Sequence, residues 1–506
     1  MYKYICYIMI KYGGVFMLFM GIDVGSSGCK TSVVDENGKI ICFCSEEYSF
    51  NYSPSGDCEL DAKNVCDKVF LTIKKLASTN DLSELKTISV TSFGEMFVLL
   101  DKDKRVLCQS ISYEDARGTR ELCELSDKLC ENTVYKITGA IPDAMFSLPK
   151  LLWIKKNKPA VYEKAKYFCM FADFILFMLG AEHHTDYSLA ARTLMFDVSD
   201  KCWSDEILTA AQVDKSLFGK TIASGTAVGT VCEKLAEELS LPKGVCLLAG
   251  GHDQPCAALG AGIIRSGIAL DGMGSNECIV PAFDSPIINS VMKRANLVCV
   301  PHIVSNMYVT YAFNRTSGSL FKWYNNIVGN VGFSNLIDEM SSLTSDLFVL
   351  PHFAGAATPY MDNSSVGAII GLKLSTSRAV LTKGILESLN YEMLINLNCL
   401  ENAGFKVQSV FAAGGMSASE KVLQLKANIL GIPVHKLSNS QTGTLGTVIL
   451  GGLAMGIYND FTEATNALVH TENVFYPDAE QHKIYLSQFK KYKNLYEAVK
   501  AFNSVN

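Results

Sequence analysis

Three stretches of this chain carry residue types at spacings suited to chemistry. The first is Gly250-Gly251-His252-Asp253-Gln254-Pro255, between the apolar run 247–249 and an Ala/Gly-rich run to Ile264. Pro255 fits the first turn of a helix, where its missing N–H costs nothing. That puts Asp253 at or beside the N-cap. It is then either a plain cap accepting backbone N–H bonds or a carboxylate presented to a ligand. The two glycines, which let another group approach the backbone closely, favour a site. The second stretch is Asp23-Val24-Gly25-Ser26-Ser27-Gly28, a Gly/Ser turn between apolar runs. Its N–H groups and hydroxyls suit phosphate, and Asp23 is placed to reach a phosphate-bound Mg²⁺. Taken alone, a simple hairpin turn explains it as well. The third is Asp271-Gly272-Met273-Gly274-Ser275, which repeats that design about 250 residues later, near the start of a second half. Two such loops would hold a triphosphate, and the recurrence lifts the phosphate reading above the hairpin.

The elements that must position these residues read as alternating strands and helices. Residues 18–24, 31–34 and 40–44 have strand patterns, with Asn37-Gly38 as a two-residue hairpin turn. The turn at 25–28 links two strands, so it is neither a Walker loop nor a dinucleotide fingerprint, each of which opens a helix. Residues 61–77 show helical spacing. Strands at 86–91 and 97–100 bracket Glu95, a carboxylate that is costly there unless paired or used. Asp115 and Arg117, in Tyr-Glu-Asp-Ala-Arg, lie on a loop entering a helix; they are candidates for substrate binding, with an ion pair the equal alternative. His183 and His184 are adjacent, cannot share one helix face as paired ligands, and read as surface loop. Residues 266–270, 277–280 and 410–413 read as strands, and 378–399 as a long helix. The strand at 410–413 meets Gly414-Gly415, a flat backbone surface on which a purine could rest. Ser417 and Glu420 have the spacing of a capping box for the helix ending at Gly431. Residues 484–502 place Tyr485, Phe489, Tyr492, Leu495, Val499 and Phe502 on one face of a docking C-terminal helix.

Composition narrows the class. At 506 residues the chain predicts two large domains. The net charge of −6, with no basic stripe, argues against a nucleic-acid partner. The 17 cysteines are scattered without a C-x-x-C pair, the pattern of reduced core residues in a cytoplasmic protein rather than a zinc site or disulfide framework. Residues 1–20 are apolar but broken by Lys3, Lys11 and Gly13-Gly14, which predicts no membrane span and no signal peptide. Residues 1–16 read as an N-terminal extension, with Met17 a natural start.

Five elements, in this order, resemble the FGGY carbohydrate kinases of the actin/hexokinase/Hsp70-like ATPase superfamily. They are GIDVGSSGCKT at 21–31, MFSLPKLLWIKKN at 145–157, GGHDQPCAALGAG at 250–262, FAGAATPY with GAIIGL within 353–372, and AAGGMSASEKVLQLKANILGIPV at 412–434. The resemblance spans residues 17 to about 470. Two positions depart from its later signature: Val380 stands where a polar residue is usual, and Gly384 where Ala or Ser is.

The resemblance implies an α/β fold of two actin-like, ribonuclease H-like domains flanking a nucleotide/sugar cleft, residues 17–264 and 265–506. It implies ATP-dependent phosphorylation of a primary hydroxyl of a small sugar or polyol, with ATP and Mg²⁺ as cofactors, no nucleic-acid or membrane partner, and a homodimer as an open option. Asp253 would be the general base, kept ionised by the helix dipole, and Gln254 and Glu95 would contact substrate. Asp23 would place Mg²⁺. Gly25, Ser26, Ser27 and Lys30 would lie near the ATP phosphates, as would Gly274 and Ser275. Gly414, Gly415, Gln424 and Asn428 would line the adenosine pocket. Glu95 falls where glycerol kinases carry Glu and xylulokinases His, while Gly94 matches neither. A xylulose-like substrate is the default that the resemblance implies, while Glu95 pulls toward an erythritol- or glycerol-type polyol as the alternative. A non-kinase actin-like ATPase and a sugar-sensing pseudokinase are the readings outside this class.

Overall fold

The computed structural model describes residues 16–342, 344–439 and 441–504. The expected extension lies outside them except for Phe16. The chain divides into two compact units. One holds residues up to Ile264 together with Cys299–Tyr308 and Gln441–Leu468; the other holds Arg265–Val298, Val309–Ser440 and Val469–Asn506. The expected division at 264/265 therefore marks only the first crossing. The small-residue helix Thr442–Ala454 belongs with the first unit, because it packs on the strand bearing Asp23 and on the helix that begins at Asp253.

In the first unit the strands are β1 (Leu18–Val24), β2 (Gly28–Asp35), β3 (Ile40–Glu47), β4 (Leu85–Ser92), β5 (Ala227–Thr230) and β6 (Cys246–His252). They pair in the order β3–β2–β1–β4–β6–β5, antiparallel at both ends and parallel across β1–β4–β6. In the second unit they are β7 (Ile268–Met273), β8 (Glu277–Phe283), β9 (Ala312–Asn314), β10 (Ser409–Ala413), β11 (Val434–Leu437) and β12 (Thr471–Phe475). These pair as β9–β8–β7–β10–β11–β12, with the same sequence of antiparallel and parallel neighbours. The six-strand order of the first sheet thus recurs within the second, which has eight strands. A parallel neighbour demands a long crossover, whereas a hairpin needs only a short turn. That is why β1–β2 and β7–β8 close tightly and leave a Gly/Ser tip at the same place in each sheet.

Residues of β1, β4 and β6 are buried nearly throughout, as central parallel strands must be. Helices Ala62–Thr79 and Phe171–Leu179 also pack on this sheet. Helix Ala62–Thr79 begins as its sequence dictates, with Asp61 accepting the N–H of Asn64. In the second unit Arg378–Asn402 forms one helix against Glu420–Leu430, which in turn meets Ala479–Tyr492.

Several expectations need correction. Ser417 is not a cap: its hydroxyl donates to the Gly414 carbonyl at 2.7 Å within a short 3-10 turn, and the following helix starts at Glu420 after Ser419. The C-terminal helix is two, Ala479–Tyr492 and Leu495–Asn503, and Phe502 is 79% exposed. His183 and His184 are not surface loop. His184 is buried in the strand His184–Asp186, and the His183 ring bonds the Phe168 carbonyl. Among the described residues no helix is long and apolar enough to cross a membrane.

Candidate active site

Asp253 is the first residue of the helix Asp253–Gly260, and His252 takes the cap position with extended backbone angles. The expected cap role is therefore absent. Pro255 sits at the third helical position, still among the N–H groups that no helix bonds. The close approach expected at the two glycines is real but is made by the protein itself. A side chain at Gly250 would meet the Val90 carbonyl at 1.8 Å, and one at Gly251 the Ser188 hydroxyl at 2.7 Å. The Ser188 hydroxyl accepts the His252 N–H at 2.8 Å and also bonds the buried Asp186 carboxylate. These contacts clamp the end of β6 and so aim Asp253.

The electrostatics around Asp253 overturn the expectation that the helix dipole keeps it an ordinary ionised carboxylate. Its carboxyl is pushed up to about 8, first by burial, then by the charges of Asp23 and Glu95. The Gln254 N–H and the Arg192 guanidinium pull the other way and lose. The side chain is still about 35% exposed, so it is set deep but open to a ligand. His252 Nε2 lies 3.2 Å from Asp253 Oδ1. Burial and Arg192 hold that imidazole neutral, so it offers Asp253 a hydrogen-bond partner and not a counter-charge.

Asp23, near the end of β1, is the carboxylate that raises Asp253. Burial lifts its own proton affinity, and Lys30, its register partner on β2, lowers it. Gly443, at the start of the helix Thr442–Ala454, brings its backbone against Asp23; a Cβ there would sit 3.9 Å from Oδ2. The β1–β2 tip follows, with the Gly25 N–H on the Gly28 carbonyl at 2.9 Å and the Tyr48 hydroxyl on the Gly25 carbonyl at 2.7 Å. Ser27 and Lys30 are exposed, and Gly25 and Ser26 half-buried. One hard carboxylate beside a tip of N–H and hydroxyl donors is a donor set that fits Mg²⁺ with a polyphosphate, since Mg²⁺ keeps most of its waters.

Glu95 is buried and paired. Arg192 Nε donates to its Oε1 at 2.6 Å and a second guanidinium nitrogen bonds the same oxygen. Arg192 itself packs over the Phe146 ring. A side chain at Gly94 would meet Arg192 Cγ at 2.8 Å, so the glycine leaves room for this pair. Tyr113 joins the group: its phenol bonds the Ser26 side chain and feels the charges of Glu95 and Asp253. Sequence reasoning missed Arg192, Tyr113 and Gly443. The available signal was an arginine set among small and apolar residues in Ser188–Phe196.

Asp115 and Arg117 are not gathered with this group as ligands. The Arg117 guanidinium chelates Asp115 at 2.6–3.0 Å, reaches Glu59 at 2.7 Å and lies over the Trp153 ring. Asp115 also accepts the Cys58 N–H at 2.7 Å. With its oxygens so engaged, the pair braces the loop against the strand Cys58–Leu60.

In the second unit the β7–β8 tip exposes Gly274 and Ser275. Asp271 was expected at the loop; it lies inside β7 and is fully buried. Gly414 has φ +103°, and a Cβ on it would meet the Met273 carbonyl at 2.6 Å, so this turn rests on β7 beside the tip. A Cβ on Gly415 meets nothing within 4 Å. That open backbone suits a flat base. Gln424 and Asn428 are otherwise occupied. Gln424 Nε2 donates to Asn428 Oδ1 and to the Tyr476 carbonyl, both at 2.9 Å, and Asn428 Oδ1 also accepts the Asp478 N–H at 2.9 Å. Their amides hold the segment leading to Ala479–Tyr492.

Two units that repeat one actin-like topology, each with a Gly/Ser tip, define the fold class, and comparison with known proteins gives the family. The chain matches the FGGY family of carbohydrate kinases, N-terminal domain, over residues 18–260 and the C-terminal domain over 276–455. The chain belongs to the FGGY family of carbohydrate kinases, phosphotransferases with an alcohol group as acceptor. It is 26% identical to the xylulose kinase of Bacillus subtilis (strain 168) over 491 residues, covering 96% of this chain and 98% of that protein. It is 27% identical to the glycerol kinase of Mycoplasmopsis pulmonis (strain UAB CTIP) over 482 residues, covering 92% and 94%. In fold it is similar to the gluconate kinase from Lactobacillus acidophilus, with a TM-score of 0.89 at 22% identity, covering 96% of this chain and 98% of the other.

Proposed function

We propose that this protein phosphorylates a primary hydroxyl of a small sugar or polyol with Mg²⁺-ATP, using Asp253 as general base. The observation that carries the reading is the placement of Asp253 as the first residue of the helix Asp253–Gly260, 3.2 Å from His252 Nε2, where burial first and then the charges of Asp23 and Glu95 push its carboxyl up to about 8. A base with a pKa near the working pH combines proton affinity with a usable ionised fraction. When bound, Mg²⁺-ATP supplies the transferable phosphoryl group and a cation that neutralises its charge. Asp23 would hold that ion through its waters, and the donors of Gly25, Ser26, Ser27 and Lys30 would take phosphate oxygens. Within the second unit, Gly274 and Ser275 would be phosphate donors, with the Gly414-Gly415 turn a surface for adenosine.

The chain then needs only to position and to move one proton. Glu95 and Gln254 would hold acceptor hydroxyls, orienting one toward Asp253. His252 would steady the Asp253 carboxylate. Phosphoryl transfer asks little more of a protein than this alignment and charge stabilisation.

The acceptor is read as a ketose of the xylulose type, a reading that the full-length similarity to xylulose kinases supports. The Glu95–Arg192 pair favours a second reading, a polyol, because a carboxylate and a guanidinium side by side suit adjacent hydroxyls as acceptor and donor. Coupled ADP release over pentuloses, hexuloses, aldonates and polyols decides between them. Turnover with a ketose supports the first reading; turnover confined to glycerol or erythritol supports the second. ATP hydrolysis that ignores every acceptor overturns both.

A further inference from the structure

Beneath the β7–β8 tip lies a buried charge cluster that none of these roles uses. Lys426, on the helix Glu420–Leu430, is fully buried. Its ammonium group bonds Asp271 Oδ2 at 2.5 Å and also bonds Glu277 Oε1. Asp271 lies two residues before the end of β7, and Glu277 begins β8. The second Glu277 oxygen accepts the Ser317 hydroxyl at 2.7 Å. The backbone N–H groups of Ser317 and Gly318 bond the Ser275 and Gly274 carbonyls at 2.9 and 3.0 Å. Asp271 Oδ1 has no hydrogen-bond partner among the described residues.

This is a costly arrangement. Two carboxyl groups share one ammonium in the core, and replacing such a buried cluster by apolar residues of similar volume is often neutral or stabilising. What the ammonium does that an apolar residue cannot is tie both strands of one hairpin to one helix. That helix follows directly from the Gly414–Ala418 turn. We propose that Lys426 is a positioning residue for nucleotide binding, fixing the Gly274-Ser275 tip relative to the Gly414-Gly415 turn. The inference rests on reading the tip and the turn as nucleotide-binding. Lys426 touches no substrate in this account; it acts through the hairpin.

The test compares nucleotide and acceptor affinities. Lys426→Met alone strands two buried carboxylates and is expected to fold poorly. The decisive protein is the triple variant Lys426→Met/Asp271→Asn/Glu277→Gln, which removes the charges together. MgADP binding is measured by calorimetry, and KM for the acceptor by coupled turnover. We expect MgADP affinity to fall about tenfold while the acceptor KM stays within about twofold. A folded triple variant with wild-type MgADP affinity, or with equal losses for both ligands, overturns the proposal. If the triple variant does not fold, Ser317→Ala gives the answer, since it loosens Glu277 with every charge in place. MgADP binding about threefold weaker supports the proposal, and unchanged binding overturns it. A wild-type protein that fails to bind MgADP would instead overturn the nucleotide reading itself.

Discussion

Arg192 Nε donates to Glu95 Oε1 at 2.6 Å from 97 residues farther along the chain. The bond joins the turn after β4 to the segment that also carries Ser188, which holds the His252 N–H. Glu95, proposed to hold the acceptor, and the aim of Asp253 therefore share one support. Glu95 is oriented and half-neutralised before a ligand arrives, which lowers the ordering cost of binding.

Replacing Glu95 by Gln tests this arrangement. One negative charge leaves the neighbourhood of Asp253, so the Asp253 carboxyl should fall below about 8. The acid limb of kcat/KM should move to lower pH, and the acceptor KM should rise. Charged hydrogen bonds to a hydroxyl are worth about 1.5–3 kcal/mol, so the KM effect should reach roughly tenfold or more. The pH profile and the order of preferred acceptors are the readouts.

Asp253→Asn should change the pH dependence of stability. The folded carboxyl is raised above its unfolded value, so the folded protein holds a proton that the unfolded chain releases. The wild type should lose stability as pH rises from about 4 to about 8 and then level off. The Asn variant, which cannot ionise, should lack that contribution. Melting curves across this range, taken without nucleotide, should show the variant relatively more stable at the alkaline end.

Gly414 and Gly415, in the turn proposed to face the nucleotide, should behave differently. Gly415→Val places its side chain in open space and should fold normally, yet raise KM for ATP far more than KM for the acceptor. Gly414→Val meets the Met273 carbonyl and has φ +103°, a backbone that a β-branched residue resists. It should lower the melting temperature as well. Equal behaviour of the two variants would move the base-binding surface elsewhere.

Arg117→Met should act on stability and not on recognition. It strips a mostly buried guanidinium from Asp115 and Glu59, and breaking such a pair costs roughly 3 kcal/mol. Burial raises the Asp115 carboxyl, but the Arg117 bonds and the Cys58 N–H win and hold it below the usual range. That stabilisation is present above the unfolded carboxylate pKa and is lost as pH falls through the depressed value. The urea midpoint of the variant should lie below that of the wild type at neutral pH and the two should converge as the pH is lowered, with the acceptor KM little changed.

The sequence made legible what repeats or is periodic. The apolar runs of β1, β4 and β6 are buried central strands, and the Gly/Ser tips fall where two hairpins turn. The long helix expected at 378–399 runs from Arg378 to Asn402, buried nearly all round between Thr382 and Leu394. Side chains engaged over long separations were hidden. Arg192 has its meaning only beside Glu95, and Lys426 sits between Leu425 and Ala427 as one polar residue in an apolar stripe. The wrong assignments share that cause. Asp115 and Arg117 have chemistry-bearing types, but Glu59 and Cys58 consume their bonding capacity from elsewhere in the chain. Asp253 looked like a simple helix-terminal anion because its burial, and with it the approach of the Asp23 and Glu95 charges, arises only on folding.

The central claim is that Asp253 takes the proton from the acceptor hydroxyl. The direct measurement is acceptor-dependent ADP release by wild type and Asp253→Asn, at saturating ATP and the best acceptor of the panel. The account predicts a kcat lower by about 10²–10⁴-fold in the variant, with MgADP binding and folding intact. An Asp253→Asn protein that phosphorylates the acceptor at the wild-type rate would contradict it.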